Sequence, residues 1–345
     1  PASDILHYLA QYKNFGVKTF QAEDEIAGIT SVIGAAFAGN LAVTASSGPG
    51  ISLKTEAMGL AISTELPMVI VNVQRGGPST GLPTKTEQSD LNQALFGRNG
   101  EAPLVVLAAA TPSDCFQVAF EASRIALKYM IPVILLSDGY IANGSEPWKI
   151  PDLDTLPKIS SRKITKDGDF APYNHENNNL SRPWAIPGVE GLEHRIGGLE
   201  KWDETGHVSY DPGNHNYMVE LRQKKIDVIS NSFKETEVYG EESGELLVLG
   251  WGGTYGAIRS AVQRAKVEGK SVSQIHLRNL NPFPKDLGEK LVKYEKILIP
   301  ELNLGQLNSI IRSRYLINTK SLNKVEGKPF TPSEIYSSIN EIIKG

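Results

Sequence analysis

Four stretches of this 345-residue sequence carry residue types at spacings that chemistry can use. The loop at 76–82, Gly-Gly-Pro-Ser-Thr-Gly-Leu, follows an apolar run, and its glycines would let backbone N–H groups approach a phosphate. Leu82 stands where a triphosphate loop needs its lysine, so a nucleoside triphosphate is not the expected ligand. Residues 250–256, Gly-Trp-Gly-Gly-Thr-Tyr-Gly, lie between a strand pattern and a helix pattern, as a dinucleotide fingerprint does. Tyr255 occupies the place of the third glycine, which leaves two readings: a tight strand-to-helix turn, or a nicotinamide or flavin site. Between 193 and 215 the chain gathers Glu193, His194, Asp203, Glu204, His207, Asp211 and His215. The histidines show no H-x-x-x-H regularity, so a polar interface loop is the expected role and no metal ligand is assigned.

The fourth stretch, Ala22-Glu23-Asp24-Glu25-Ile26-Ala27-Gly28, puts three carboxylates at a helix start, where offsetting the helix dipole accounts for them. The helix itself is less ordinary. Ala27, Gly28, Gly34, Ala35, Ala36, Ala38 and Gly39 make it thin enough for another backbone or a flat ligand to lie against it.

Around these stretches, composition narrows the field. Thirty-five Lys plus Arg against 39 Asp plus Glu leave a net charge of -4 with no long basic run, which argues against a nucleic-acid partner. The single cysteine, Cys115, excludes an internal disulfide and any iron–sulfur cluster or Cys-rich zinc site built by this chain alone. The longest apolar runs, at 67–73 and 131–137, fall far short of the ~20 residues of a membrane helix. No charged segment followed by an apolar one opens the chain, so a cytoplasmic protein with no membrane contact is expected.

The elements that must position the candidates alternate strand and helix. A strand is expected at 17–20, a helix at 23–39, a strand at 41–45, a helix at 52–64, then strands at 67–74 and 103–109, a helix at 113–130 and a strand at 132–138. Such alternation predicts an α/β fold with a parallel sheet covered on both faces, and ligands beyond the C-terminal strand ends. Scattered prolines and polar residues at 150–212 make a segment too long for an ordinary connection. A helix around 215–233 then leads to a second α/β unit, with its final helix at 305–315. The division is residues 1–150, an irregular linker and connecting helix at 151–240, and 241–345.

The stretches 21–53, 71–91, 191–226 and 297–330 together resemble the alpha subunits of 2-oxoacid:ferredoxin oxidoreductases, nearest the 2-oxoglutarate type. The resemblance covers nearly the whole chain, in the family's order. It implies a thiamine diphosphate-binding fold, with a pyrimidine domain first and a transketolase C-terminal-like domain second. Glu25 falls on the family's cofactor-activating glutamate. There its carboxylate would hydrogen-bond N1′ of the aminopyrimidine and favour the imino tautomer, whose N4′ takes the C2 proton. Ser47, Gly48 and Pro49, in the loop after the next strand, are assigned to the same cofactor. Arg75 falls on the arginine that binds the substrate carboxylate, a role suited to a fixed guanidinium fork. Gly76, Gly77, Ser79 and Thr80 would shape the same wall.

The resemblance further implies an enzyme that converts a 2-oxoacid and coenzyme A to acyl-coenzyme A and reduces ferredoxin. No Gly-Asp-Gly diphosphate motif occurs here, and one cysteine cannot hold a cluster. A beta subunit is therefore expected to carry Mg²⁺, the diphosphate and the iron–sulfur cluster. Alone, the chain is expected to fold, free to pair with a second copy, but not to turn over. The family usually reads Tyr-Pro-Ile-Thr-Pro before the first helix, and the sequence starts at the last residue of that motif, Pro1. Many 2-oxoglutarate-type subunits also carry an N-terminal gamma-like domain. The expectation is a piece of a longer protein with an incomplete site. Two other readings stay open: a nicotinamide dehydrogenase using 250–256, and a scaffold with a degenerate cofactor site.

Overall fold

Parallel strands covered on both faces read as unbroken apolar runs, and Met68 to Val73 and Pro132 to Leu136 form such strands, buried along almost their whole length. The computed structural model describes residues 2–164 and 170–344. In chain order the first unit runs α1 (Ser3–Leu9), α2 (Glu25–Phe37), β1 (Ala42–Ser46), α3 (Gly48–Leu53), α4 (Thr55–Ser63), β2 (Met68–Gln74), α5 (Leu91–Phe96), β3 (Val105–Ala108), α6 (Asp114–Tyr129), β4 (Pro132–Asp138) and α7 (Gly139–Asn143). The irregular segment holds β5 (Lys163–Ile164) and β6 (Trp184–Ala185), and α8 (Pro212–Ser230) leads out of it. The second unit runs β7 (Val238–Tyr239), β8 (Gly244–Trp251), α9 (Tyr255–Val267), β9 (Val272–Leu277), β10 (Asn279–Asn281), α10 (Leu287–Leu291), β11 (Tyr294–Glu301), α11 (Gln306–Tyr315), β12 (Lys320–Asn323) and α12 (Pro332–Lys344).

One five-stranded sheet has the order β1-β2-β4-β3-β10 and the other β12-β11-β8-β9-β7. The first four strands of the first sheet are parallel, with Ser46 opposite Asn72 and Gln74 opposite Asp138, so β1, β2 and β4 end side by side. The fifth strand, β10, comes from the second unit and pairs antiparallel with β3. A single apolar cluster runs from Ile29, Met58 and Ile134 in the first unit to Leu249, Ile275 and Leu307 in the second. Burying each such side chain contributes roughly 1.5–3 kcal/mol, so the two units are joined by core rather than by a flexible tether.

Polar groups complete the joint. Gln88 donates its backbone N–H to Leu302 O at 2.9 Å and its Nε2 to Trp251 O at 2.8 Å, while its Oε1 accepts from Leu302 N at 2.9 Å. Behind it, within the second unit, Glu301, fully buried at the end of β11, accepts from Leu307 N, Asn308 N and Trp251 Nε1 at 2.8, 3.0 and 3.2 Å.

The irregular segment covers the first unit. Trp184 is fully buried and donates its indole N–H to Ala36 O at the end of α2, at 3.0 Å. Buried Glu65 holds the segment from the other side. Its carboxylate accepts from Arg182 N at 3.0 Å and Lys225 Nζ at 2.5 Å and pairs with His175 Nε2 at 2.5 Å, and His175 Nδ1 meets Asp203 at 2.6 Å. The long polar stretch is thus an ion-paired cover, a role that its local pattern does not reveal.

Three expectations need correction. Residues 17–20 form no strand, and their β-branched pattern lies in the connection between α1 and α2. The helix expected at 52–64 is two helices, α3 and α4, broken at Lys54. The helix α11 is not the last, since β12 and α12 come after it, the latter burying Ile335, Ile339 and Ile342 at helical spacing. Beyond these, the strand β10, for which no expectation was made, leaves its own unit for the first sheet. Among the described residues no helix is long and apolar enough to cross a membrane.

Candidate functional site

The helix α2 opens where β1 and β2 end. Asp24 takes the capping position with extended backbone and accepts Ala27 N–H at 2.8 Å on its Oδ1. Capping thus falls to Asp24 and leaves the next residue, Glu25, free for something else. The Glu25 side chain is half-buried, and among the described residues no group donates a hydrogen bond to it.

The loop after β1 comes back against this carboxylate. A Cβ on Gly50 would lie 2.8 Å from Glu25 Cγ and 2.9 Å from its Oε1, and would also strike Ser46 Oγ. Only glycine lets the first turn of α3 approach so closely. Among Ser47, Gly48 and Pro49, Ser47 precedes α3 with extended backbone and its side chain makes no cap, while Pro49 sits in the first turn, where a missing N–H costs nothing. A Cβ on Gly48 would lie 3.0 Å from Asp90 Oδ1. Gly50 is the residue that sequence reasoning missed. Its one signal was being the second glycine of Ser-Gly-Pro-Gly.

Asp90 links this loop to Arg75. Asn72 Nδ2 donates to Asp90 Oδ2 at 3.0 Å, and Ser89 Oγ lies 2.7 Å from Arg75 O and 3.1 Å from Asp90 Oδ1. Burial pushes the Asp90 carboxyl up, against the pull of Asn72, Ser89 and the Arg75 charge. Arg75 is half-buried, and its Nε is buried with no hydrogen-bond partner among the described residues. A guanidinium with an unfilled N–H at the end of a sheet is equipped to take a carboxylate.

The rest of the glycine loop behaves differently. It closes on itself, with Gly76 N donating to Lys85 O at 3.0 Å and Leu82 N to Gly76 O at 2.9 Å. Gly76 is buried at its base, whereas Gly77, Ser79 and Thr80 are exposed, and no side-chain hydrogen bond joins Ser79 or Thr80 to Glu25 or Arg75. Glu25 and the 46–50 loop are brought together, Arg75 and Gly76 stand beside them, and the loop tip faces solvent.

The turn at 250–256 is occupied by the first unit. Gly253 donates its N–H to Asp138 Oδ2 at 3.0 Å, and a Cβ there would come within 2.6 Å of that oxygen. Gly252 has φ +57°, and a Cβ on it would lie 2.8 Å from Gln88 Nε2. A carboxylate of the chain itself fills the position where a pyrophosphate would rest, so the glycines serve a close joint between units. Burial pushes the Asp138 carboxyl up, against its donors Ile141, Thr86, Gly253 and Tyr140.

The histidine-rich stretch separates into pairs. Asp203 meets His175, His215 Nδ1 meets Glu200 at 2.7 Å, and His194 Nδ1 lies 2.9 Å from Leu192 O. Among the described residues no group of three or more His, Cys, Asp or Glu could hold a metal ion.

An open carboxylate, a glycine whose Cβ would fill the space before it, and a thin helix fit a flat heteroaromatic ring that offers a ring nitrogen to Glu25. A Cβ on Gly34 of α2 would meet nothing within 4 Å.

The family model described as "pyruvate flavodoxin/ferredoxin oxidoreductase, thiamine diP-bdg" matches residues 1–211, and that of "pyruvate:ferredoxin oxidoreductase core domain II" matches 244–335. The 2-oxoglutarate oxidoreductase subunit KorA of Mycobacterium tuberculosis is 55% identical over 345 residues, covering 100% of this chain and 53% of the relative. A 2-oxoglutarate synthase subunit KorA of Archaeoglobus fulgidus is 36% identical over 310 residues, covering 89% of this chain and 81% of the relative. A solved structure of 2-oxoglutarate:ferredoxin oxidoreductase from Magnetococcus marinus, with 2-oxoglutarate, coenzyme A and succinyl-CoA bound, superposes with a TM-score of 0.94 at 37% identity, over 99% of this chain and 60% of that one. A split-gene transketolase superposes with a TM-score of 0.53 at 12% identity, a likeness of fold alone. The chain spans about half the length of the first curated relatives it matches.

Proposed function

The chain belongs to the 2-oxoacid:ferredoxin oxidoreductases, as an alpha-subunit sequence, and from that premise we propose that it supplies the pyrimidine half of a shared thiamine diphosphate site. The enzyme it serves oxidatively decarboxylates 2-oxoglutarate to succinyl-coenzyme A and passes the electrons to ferredoxin. The observation that carries this reading is the Glu25 carboxylate at the mouth of α2, relieved of capping by Asp24, with Gly50 pressed against it.

Bound thiamine diphosphate would supply a nucleophilic carbon for the ketone and a sink for the electrons left by carbon dioxide. Glu25 would hold a proton at N1′ of the ring, and Ser47, Gly48 and Pro49 would line the same side. Arg75, just beyond the end of β2, would take the substrate carboxylate. Gly76, Gly77, Ser79 and Thr80 would border that entrance.

The diphosphate, its Mg²⁺ and the iron–sulfur cluster are assigned to a beta subunit. A surface for it is available: β1 is an edge strand, and Ile26, Leu41, Val43 and Leu53 around it are 43–52% exposed. Paired αβ units would close as α₂β₂, and a pair of alpha chains would use the same surface when alone. The reading places this enzyme in the cytoplasm.

The test is a cofactor titration in three arms: the chain alone, the chain with its beta subunit, and either with NADH instead. Mg²⁺-dependent thiamine diphosphate binding only in the presence of the beta subunit is expected. Micromolar binding by the chain alone would overturn the shared site, and NADH binding would overturn the chemistry.

A further inference from the structure

We propose that Lys54 is a positioning residue for Glu25: its buried ammonium, fixed by Thr44, supplies the positive charge against which the glutamate carboxylate is held at the mouth of α2. The functional meaning of this pairing rests on the thiamine reading of the site, although the pairing itself does not.

Lys54 stands at the break between α3 and α4, one turn beyond Gly50. A lysine at a helix junction ordinarily runs its stem over the surface and leaves its charge in water. This one turns inward and is 2% exposed. Its Nζ donates to Thr44 Oγ1 at 2.8 Å, the one acceptor in hydrogen-bond reach among the described residues. Burial pulls the ammonium down to about 8, and the charge of Glu25 is what opposes that pull. Thr44 ties the geometry together, because its Oγ1 lies 4.0 Å from where a Cβ on Gly28 would sit, on the turn of α2 just beyond Glu25.

The other neighbouring elements offer no competing charge. Neither β1 nor β2 carries an ionisable residue. On α2, Asp24 is engaged as the cap. On α4, Glu56 lines a different groove, shared with Asn99, Glu101 and His215. Asp90 faces Gly48 and is held by Asn72 and Ser89. A core that needed only volume here would be served by methionine at no desolvation cost. The charge therefore has a use, and the group it acts on is Glu25. Loss of the ammonium's proton in alkali would leave the Glu25 carboxylate without its buried counter-charge.

Two measurements test the pairing. In the cofactor-free chain, the Lys54 ε-methylene followed by NMR is expected to titrate near 8, and Glu25→Gln is expected to move that midpoint lower. An unchanged midpoint in Glu25→Gln would overturn the pairing, with no thiamine involved. In the assembled enzyme, kcat is expected to show an alkaline limb near pH 8 that Lys54→Arg, whose guanidinium stays charged, abolishes. Lys54→Met is expected to lower kcat roughly tenfold while leaving KM for the 2-oxoacid unchanged, an effect on proton handling and not on substrate binding. A limb that persists in Lys54→Arg would sink the proposal even if Met at this position fails to fold. Failure of thiamine to bind the assembled enzyme, with the Lys54 response to Glu25→Gln intact, would remove the proposed function and leave the pairing standing.

Discussion

Gly50 leaves open the space that Glu25 uses: a Cβ on Gly50 would lie 2.8 Å from Glu25 Cγ, closer than real side chains approach. Gly50→Ala should therefore move the carboxylate while costing little global stability, since the site lies at the sheet's end and outside the apolar cluster. A displacement of about 1 Å at a reacting group costs roughly 10²-fold in rate. Turnover of the assembled enzyme and the thermal midpoint, measured side by side, check this. A variant that loses stability and activity in proportion would show that Gly50 serves folding alone.

Glu25→Gln keeps the shape and removes the ionisable group. Turnover should fall by at least ~100-fold, the scale of a lost acid–base contribution, with folding and assembly intact. Asp24 still caps α2 in this variant. Full activity would remove Glu25 from the mechanism.

Arg75→Lys replaces a planar fork by a point charge. KM for the 2-oxoacid should rise, by about tenfold, with a smaller change in kcat. Steady-state kinetics across substrate concentrations separate the two, and unchanged constants would assign the substrate carboxylate to another group.

Glu65→Gln leaves Lys225 buried beside a neutral partner and should destabilise the chain by about 3–5 kcal/mol. Burial pushes the Glu65 carboxyl up, but Lys225 and His175 override it and hold it well below its usual range. Such a depressed carboxyl contributes stability that is present above its unfolded value and is lost as pH falls toward the folded one. Denaturant midpoints should thus fall below about pH 4 in the native chain, and less so in Glu65→Gln with Lys225→Met, where both charges are gone. Equal acid sensitivity in the two proteins would contradict this.

His276 sets a second pH response. Burial pushes its imidazole down to about 3, with the Arg278 charge acting in the same direction, so the native state keeps it neutral. Between that value and about 6.5 the unfolded chain binds a proton that the folded chain does not, and stability must fall as pH is lowered through this window. His276→Gln should flatten the thermal midpoint between about pH 4.5 and 7. An unaltered slope would mean that the imidazole titrates freely.

Local chemistry made some of this molecule legible. The helix α9, Tyr255–Val267, follows the glycine stretch at 250–256 as expected, because a glycine turn and an apolar periodicity both point to it. The start of α2 was readable from its acidic residues, although Asp24 and Glu25 turn out to divide the work. The isoleucines of α12 carry the same spacing, a signal that the reading of 305–315 as the final helix passed over. Other features have no local trace. The three residues of β10 become a strand only because β3, far earlier in the chain, accepts them. Gly50 matters because of Glu25, and Lys54 because of Thr44; each contact joins separate elements. The glycine loop stood out by composition, but Arg75 came from resemblance to a family, and periodicity alone would have left it an ordinary loop residue.

The crossing of β10 bears on what can be exchanged between relatives. A cut anywhere between the units strips the first sheet of its fifth strand and uncovers β3, which is fully buried, along a bare edge. A hybrid that takes its second half from another family member inherits that member's edge strand inside its own first sheet. The halves can then diverge only in step, and recombination between distant relatives would succeed where Asn279, Leu280 and Asn281 and the residues of β3 travel together.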